Sequence, residues 1–450
     1  MDPLPPKQPI RLLRHLRLSM LTVYRRIFTI IVLLNMIGLF LLIQSPAKLE
    51  DMSTWASANF LVAILFRQDW VVNIIFRSAW LVPWSMPLRL RRMVARAYMY
   101  GGVHSGAALA GTMWFFTFTL MLTVRFAGEG QYTNLIFVIT WFILIVLAII
   151  CFLSLPNLRS KYHNTFEITH RFLGWSSILL FWTQLMLLIK SKSFHKQETF
   201  RTVLIRAPTF WNLLILTCLI LAPWLRLRRW TFTPHVLSSH ALRLHFTNRI
   251  HRFSCLAISI SPFGEYHPFA TFPSTNPSEP GSSLIISAAG DWTKEQIRIA
   301  NDLIRENNAY NSEKKMTFWI KGSPKAGVLS LTCIFQRVVI ITTGSGIGPS
   351  LSSLVERPVA QVARLIWSTR SPELTYGSAI CREVSNVDPD AIVIDTDTMG
   401  RPDLIQVAWK VYSEMKAEAV FVLSNEATTK KVVYGLESRG VPAFGPIWDS

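Results

Sequence analysis

The chain has only 5 cysteines in 450 residues, and Cys151, Cys218, Cys255, Cys333 and Cys381 include no C-x-x-C spacing. That excludes a zinc-finger site and a disulfide-stapled scaffold. Acidic residues are scarce too, 27 against 46 lysines and arginines, which leaves a net charge of +19. A surplus of that size can serve nucleic acid. Here, however, the basic residues gather beside apolar runs: Arg11, Arg14, Arg17, Arg25 and Arg26, then Arg89, Arg91, Arg92 and Arg96, then Arg226, Arg228 and Arg229. That is the flanking pattern of membrane spans, so no nucleic-acid partner is expected. A Gly-x-Ser-x-Gly nucleophile turn is missing, which disfavours a hydrolase. Internal repeats and a signal-peptide cleavage pattern are missing as well, and the first apolar span reads as an uncleaved anchor.

What the chain has in quantity is apolar surface, with 50% hydrophobic residues and a mean hydropathy of +0.32. Its long apolar runs all precede residue 226, at residues 27–43, 54–66, 103–124, 135–155, 168–189 and 210–225. Crossing a bilayer takes about 20 residues of helix, so the second run either borrows residues 70–75 or is a short, tilted span. About six spans with the N-terminus inside return the chain to the cytosol at Arg226. The loop 190–206, with Lys190, Lys192, Lys196, Arg201 and Arg206, runs against that orientation. The expectation is a multi-pass integral membrane protein with the lipid bilayer as a partner and a cytosolic soluble half. Arg67 and Asp69 interrupt an apolar stretch and are expected to pair.

After Trp230 the pattern changes. Segments 241–246 and 255–260 alternate polar and apolar residues between Pro- and Gly-rich turns, as in a small antiparallel barrel, and 273–283 is a loop. From Thr317 onward strands alternate with helical patterns, which reads as a parallel α/β unit. Three domains follow: a helical membrane domain over 1–230, a barrel over 231–330 and an α/β nucleotide-binding domain over 331–450.

The most telling run is Thr343-Gly344-Ser345-Gly346-Ile347-Gly348-Pro349-Ser350, placed between the apolar β-branched segment 338–342 and a helical stretch. A strand that turns on glycines into a helix brings backbone N–H groups and the helix dipole up to a pyrophosphate. Asp395, Asp397 and Asp403 lie close in sequence, but with no histidine beside them they read as turn and ribose contacts, not as a metal site.

Four segments read together carry a family resemblance. His267-Pro268-Phe269-Ala270-Thr271 resembles the His-Pro-Phe-Ser/Thr flavin motif of ferric reductases and NADPH oxidases. Thr343–Pro349 resembles that family's Gly-x-Gly-Ile-x-Pro loop, Trp367-Ser368-Thr369-Arg370 its Trp-x-x-Arg, and Gly400-Arg401-Pro402-Asp403 its Gly-Arg-Pro element. The chain is thus similar to a divergent fungal branch of these transmembrane flavoproteins, which implies a ferredoxin-reductase-like β-barrel beside the α/β domain.

The resemblance implies that His267, Pro268, Phe269 and Thr271 hold FAD, with Ala270 at the usual hydroxyl position and Thr271 or Ser274 compensating. It implies that Gly344, Gly346, Gly348 and Pro349 cradle NADPH phosphates, that Arg370 pairs with a phosphate and that Arg401 assists. Trp448 would stack on the flavin, and Ser424 stands where the family tends to place a cysteine near the nicotinamide. Family members bind two haems through histidine pairs about thirteen residues apart, or ~20 Å of helix. Here His104 and His170 supply one pair, while Thr117 and Thr183 occupy the second positions, so at most one haem is implied. The activity implied is electron transfer from NADPH through FAD to a membrane haem or another acceptor. A redox-sensing or scaffolding membrane protein of fungal development or secondary metabolism is the alternative, and a transporter the third.

Overall fold

The computed structural model describes residues 3–8, 10–44, 48–129, 132–275, 278–306 and 314–446. The chain forms two compact units. One gathers Val23–Gln68 and Tyr100–Ala222; the other gathers Asp69–Met99, the chain from Pro223 onward and the N-terminal segment.

The first unit is all helix. Val23–Ile43, Ala97–Gly128, Asn134–Leu153, His163–Lys196 and Pro208–Leu225 are each long and apolar enough to cross a membrane. Large apolar side chains point outward along them, as with Leu34, Phe40, Val138 and Leu179. Polar residues turn inward instead: Asn59 and Trp114 both donate to Asn35 Oδ1, at 2.8 and 2.9 Å, and Gln184 donates to Thr140 at 2.6 Å. Gly102 and Gly106 permit a close helix crossing, since a Cβ on them would lie 2.4 Å from Tyr24 O and 3.1 Å from Phe28 O.

The second span expected from the sequence ends early. Leu49–Leu65 has 17 residues, and residues 70–75 belong to a separate helix, Asp69–Trp80, in the other unit. That helix buries Val72, Phe76 and Ala79, and its Asn73 binds Pro324 O and Ala326 N. Asp69 turns to Lys325 Nζ at 3.3 Å and the Ser323 amide at 2.9 Å. The expected Arg67–Asp69 pair is therefore replaced by these partners. Arg91, Arg92 and Arg96, read above as membrane flanks, bind protein acceptors: Glu418 for the first two and Glu437 for the third.

The barrel comprises β1 (Arg228–Ser238), β2 (Ala241–Phe246), β3 (Ser254–Ser259), β4 (His267–Pro273), β5 (Ser282–Ser287) and β6 (Met316–Ile320), with short β7 (Lys325–Ala326) added beside β3. The order β4-β5-β2-β1-β6-β3 closes through β3–β4 pairing, and every pairing is antiparallel. Alternate residues fill the interior, among them Phe232, Leu244, Leu256, Ile258, Leu284 and Phe318, and the helix Asp291–Glu306 adds Ile297 and Ala300.

The α/β domain comprises β8 (Arg337–Thr343), β9 (Val362–Thr369), β10 (Ile392–Asp395), β11 (Ala419–Leu423) and β12 (Ala443–Phe444), all parallel in the order β10-β9-β8-β11-β12. The chain starts at the central β8, builds outward through β9 and β10, then returns to place β11 on the other side of β8. The gap between the carboxyl ends of β8 and β11 is thus a topological switch point, where open α/β sheets bind ligands.

Candidate functional site at the switch point

The glycine run sits at that switch point. Gly344 has φ +49, a left-handed conformation that glycine adopts without strain. A Cβ on Gly346 would lie 2.1 Å from Thr342 Oγ1 and 2.9 Å from Leu423 O, so a side chain there has no room. Ser345 is exposed at the tip. The helix Ile347–Val355 begins directly after the turn, so its unpaired N–H groups and positive dipole end sit at the carboxyl edge of β8. Gly348 and Pro349 form its first turn, and a Cβ on Gly348 would be 3.6 Å from Ile285 of the barrel.

Neighbouring side chains fix this turn. Trp367 Nε1 donates to Gly344 O at 3.0 Å, Thr342 Oγ1 donates to Leu423 O at 3.0 Å, and the Thr343 and Ser424 hydroxyls share a short hydrogen bond. Ser424, at the end of β11, therefore meets the glycine turn across the switch point. Arg370 projects, exposed, from the end of β9, and Arg401 is exposed in the loop after β10. Both lie at the same carboxyl edge as the turn. The aspartates have local partners: Asp395 accepts from the Ser371 and Asp397 amides, Asp397 from the Ser371 hydroxyl, and Asp403 caps the helix Leu404–Glu414.

Sequence reasoning missed Tyr376. Its ring packs on Trp367 with centroids 5.4 Å apart, and its hydroxyl would be 3.5 Å from a Cβ on Gly344. Burial raises its phenol above the ordinary value. It reaches the turn from the helix Pro372–Val387, which is kinked at Gly377 (φ 80). No local pattern announces that approach.

The residues of β4 are arranged differently. His267 and Phe269 pair across the strand with Ile258 and Leu256, and Thr271 with Leu284, so all three share the barrel's core face. His267 stacks on Trp292 at 4.1 Å and Phe269 faces the same ring at 6.1 Å. The Thr271 hydroxyl donates to Ser254 O at 3.0 Å and is buried, so it does not compensate for Ala270. Only Pro268 and Ala270 face outward. Trp292 Nε1, beside His267 and Phe269, and Gln296 Nε2 on the same helix are buried donors with no hydrogen-bond partner among the described residues. Trp292 packs against the barrel's core cluster and Gln296 is fully buried, so neither donor is open to a flavin, and the one hydroxyl of the motif, on Thr271, is already used. Trp448 lies outside the described residues.

The outer face of β2 and β5 is covered rather than open. Arg243 binds Ser283 Oγ and Glu383 Oε1, each at 2.9 Å, and lies over Phe272. Burial raises the Glu383 carboxyl while Arg243 opposes it.

In the helical unit, His104 and His170 meet, with ring centroids 6.3 Å apart. Thr117 and Thr183 instead bond their own helices, at Met113 O and Leu179 O.

A model of the C-terminal domain of adenylate-forming reductase 03009 matches residues 328–450. Adenylate-forming reductase 06235 of Coprinopsis cinerea is 36% identical over 452 residues, and adenylate-forming reductase 03009 of the same organism is 37% identical over 453. Each match takes in 100% of this chain but 42% of the relative, so the chain spans under half the length of the curated relatives it matches. Solved structures overlay loosely. A flavohemoglobin from Malassezia yamatoensis with bound FAD and heme has TM-score 0.38 at 15% identity, over 88% of this chain and 98% of that one. A ferredoxin-NADP+ reductase from Plasmodium falciparum in complex with 2'P-AMP has TM-score 0.34 at 12% identity, over 48% and 94%.

These matches overturn the expected function. The homologues along the whole chain are adenylate-forming reductases, not ferric-reductase-type membrane flavoproteins that pass electrons from NADPH through FAD to a haem. The sensor or scaffold alternative gives way with it. What stands is an antiparallel barrel beside a parallel α/β sheet, in a chain similar along its length to part of two adenylate-forming reductases.

Proposed function

We propose that this chain is the reductase portion of an adenylate-forming reductase, and that it binds NADPH at the β8–β11 switch point. The observation that carries the nucleotide reading is the turn at Gly344–Gly346. Its backbone is bare because no Cβ fits at Gly346, and it opens onto a helix N-terminus. In this reading Gly344, Gly346, Gly348 and Pro349 surround the diphosphate, Arg370 pairs with a ribose phosphate, and Arg401 adds positive charge. When bound, the dihydronicotinamide supplies a hydride; the acceptor class suggested by the relatives' name is an acyl carbonyl activated by adenylation. Trp367 and Tyr376 hold the turn's shape, and the Thr343–Ser424 hydroxyl pair faces the cleft as a proton donor or acceptor. FAD is the second cofactor of this reading, with Pro268 and Ala270 the motif residues left facing outward to meet it.

The helical unit we read as membrane-embedded and multi-pass, with the barrel and sheet on the cytosolic side. Support comes from five long apolar helices and from outward Leu34, Phe40 and Leu179, each more than half exposed. Water around such surfaces costs roughly 25 cal/mol per Å².

Titrating the intact, solubilised chain with NADPH, followed by nicotinamide fluorescence, tests the site. Ser345→Asp puts a negative charge at an exposed tip without a packing change and should weaken binding at least tenfold, about 1.4 kcal/mol. Absence of wild-type binding, or equal affinity in the variant, would overturn the assignment. Supplying an acyl adenylate or acyl thioester should then make NADPH consumption track aldehyde formation.

A further inference from the structure

The helical unit holds a partly open cavity of about 300 Å³ among its helices. Small residues open it: Ala56, Ala63, Ala108 and Gly174 stand at facing positions, and nothing lies within 4 Å of a Cβ built on Gly174. An apolar cavity of about 150 Å³ takes benzene. This one is therefore matched to a body of about a dozen non-hydrogen atoms.

The walls are mostly apolar, and their polar side chains are already engaged. Thr112 donates to Ala108 O, Ser177 to Leu173 O and Gln184 to Thr140, while Arg171 is paired with Glu167. The two histidines differ. The His104 Nδ1 lies 2.9 Å from Ala63 O, which only accepts, so Nδ1 carries the proton and the neutral ring's Nε2 is left as a lone pair. His170 Nδ1 is buried with no hydrogen-bond partner among the described residues. An unmet buried imidazole nitrogen is costly. A single group that both donates and accepts satisfies both rings. A carbonyl or carboxylate only accepts, and an ether cannot donate.

We infer that this cavity is a binding site for an apolar alcohol, whose hydroxyl sits between His104 and His170 and whose chain lies along Ala56, Ala108 and Gly174. The site is independent of the nucleotide turn and stands or falls without it.

The test uses the intact chain and three matched probes: 1-decanol, decyl methyl ether and decanal. At a concentration near a hundred times its Kd, 1-decanol should raise Tm by about 5 °C, and the ether and aldehyde by far less. His170→Leu should remove the preference for the alcohol while leaving weak apolar binding. Gly174→Phe fills the space and should abolish every probe's shift with little change in Tm without ligand. Equal shifts for alcohol and ether, or an alcohol shift that survives Gly174→Phe, would overturn the site. So would a Soret band in protein expressed with haem precursor that is lost in both His104→Leu and His170→Leu.

Discussion

The two ends of the five-stranded parallel sheet are built on opposite terms. At the amino end every charge named here has a partner: Arg91 grips Glu418 with two bonds of 2.8 and 2.9 Å, and Gln336 donates to the same carboxylate. Arg337 donates to Lys416 O, Arg364 pairs with Asp388 and Asp390, and Asp388 also receives the Leu365 amide. At the carboxyl end Ser345, Arg370 and Arg401 stand exposed around a bare glycine turn. Strand and helix directions alone put helix N-termini at the carboxyl end. The difference teaches that this sheet pairs the named charges at its amino end and leaves Arg370 and Arg401 exposed at its carboxyl end, where the proposed nucleotide site would use them.

The largest expected effect tests the amino end. Arg91→Ala leaves the partly buried Glu418 without its guanidinium; removing one partner of a fully buried pair costs about 3–5 kcal/mol, and the solvent reaching Glu418 should bring this loss below that range. Unfolding of the sheet-containing unit should show that loss, while NADPH affinity below the transition stays unchanged. An equal loss of affinity would mean the two ends are not separable. The pair also sets an acid limit. Burial pushes the Glu418 carboxyl up, but the Arg91 hydrogen bond and the Gln336 amide outweigh it and hold it below its ordinary value. Its contribution is therefore present above the unfolded carboxylate value of about 4.3. It is lost as pH falls through the lower folded value. The gap in stability between wild type and Arg91→Ala should close over that range.

The sheet was readable because its strands are uninterrupted β-branched runs such as Val338–Thr342, buried on both faces as parallel strands are. The barrel was readable from alternation, although β2 departs from it: Arg243 and His245 point outward yet are covered. Less was legible where distant segments meet. The Asp69–Lys325 pair and the Tyr376–Gly344 approach depend on tertiary placement with no signal in adjacent residues. The function failed for another reason. A glycine turn and a nearby arginine describe how a dinucleotide phosphate is held, and that chemistry is common to reductases with unrelated acceptors. The resemblance at β4 assigns FAD contacts to His267, Phe269 and Thr271, and strand register turns those three to the core side.

A smaller effect is expected from the carboxyl end's unneutralised charge. Arg370→Ala removes a guanidinium that is exposed and makes no packing contribution worth measuring in stability. If it meets the 2′-phosphate, charge-assisted bonds of about 1.5–3 kcal/mol are lost for NADPH and none for NADH. The dissociation constant for NADPH should rise roughly tenfold or more relative to that for NADH, with Tm unchanged. Parallel weakening of both nucleotides would place the arginine on the diphosphate instead.

The smallest effect concerns the hydroxyl pair that joins the two strands at the cleft. Ser424→Ala deletes one member, and Thr343, only partly buried, can turn its hydroxyl to water. A hydrogen bond of that kind is worth about 0.5–1.5 kcal/mol, and little desolvation penalty remains because the survivor is reachable by solvent. The turn's other restraints, Trp367 to Gly344 O and Thr342 to Leu423 O, stay in place. Stability and NADPH affinity should therefore shift by no more than a few-fold equivalent, while any proton-dependent step of turnover slows more than either. Loss of nucleotide binding in Ser424→Ala would show that this end is as tightly interlocked as the other, and the contrast between them would fail.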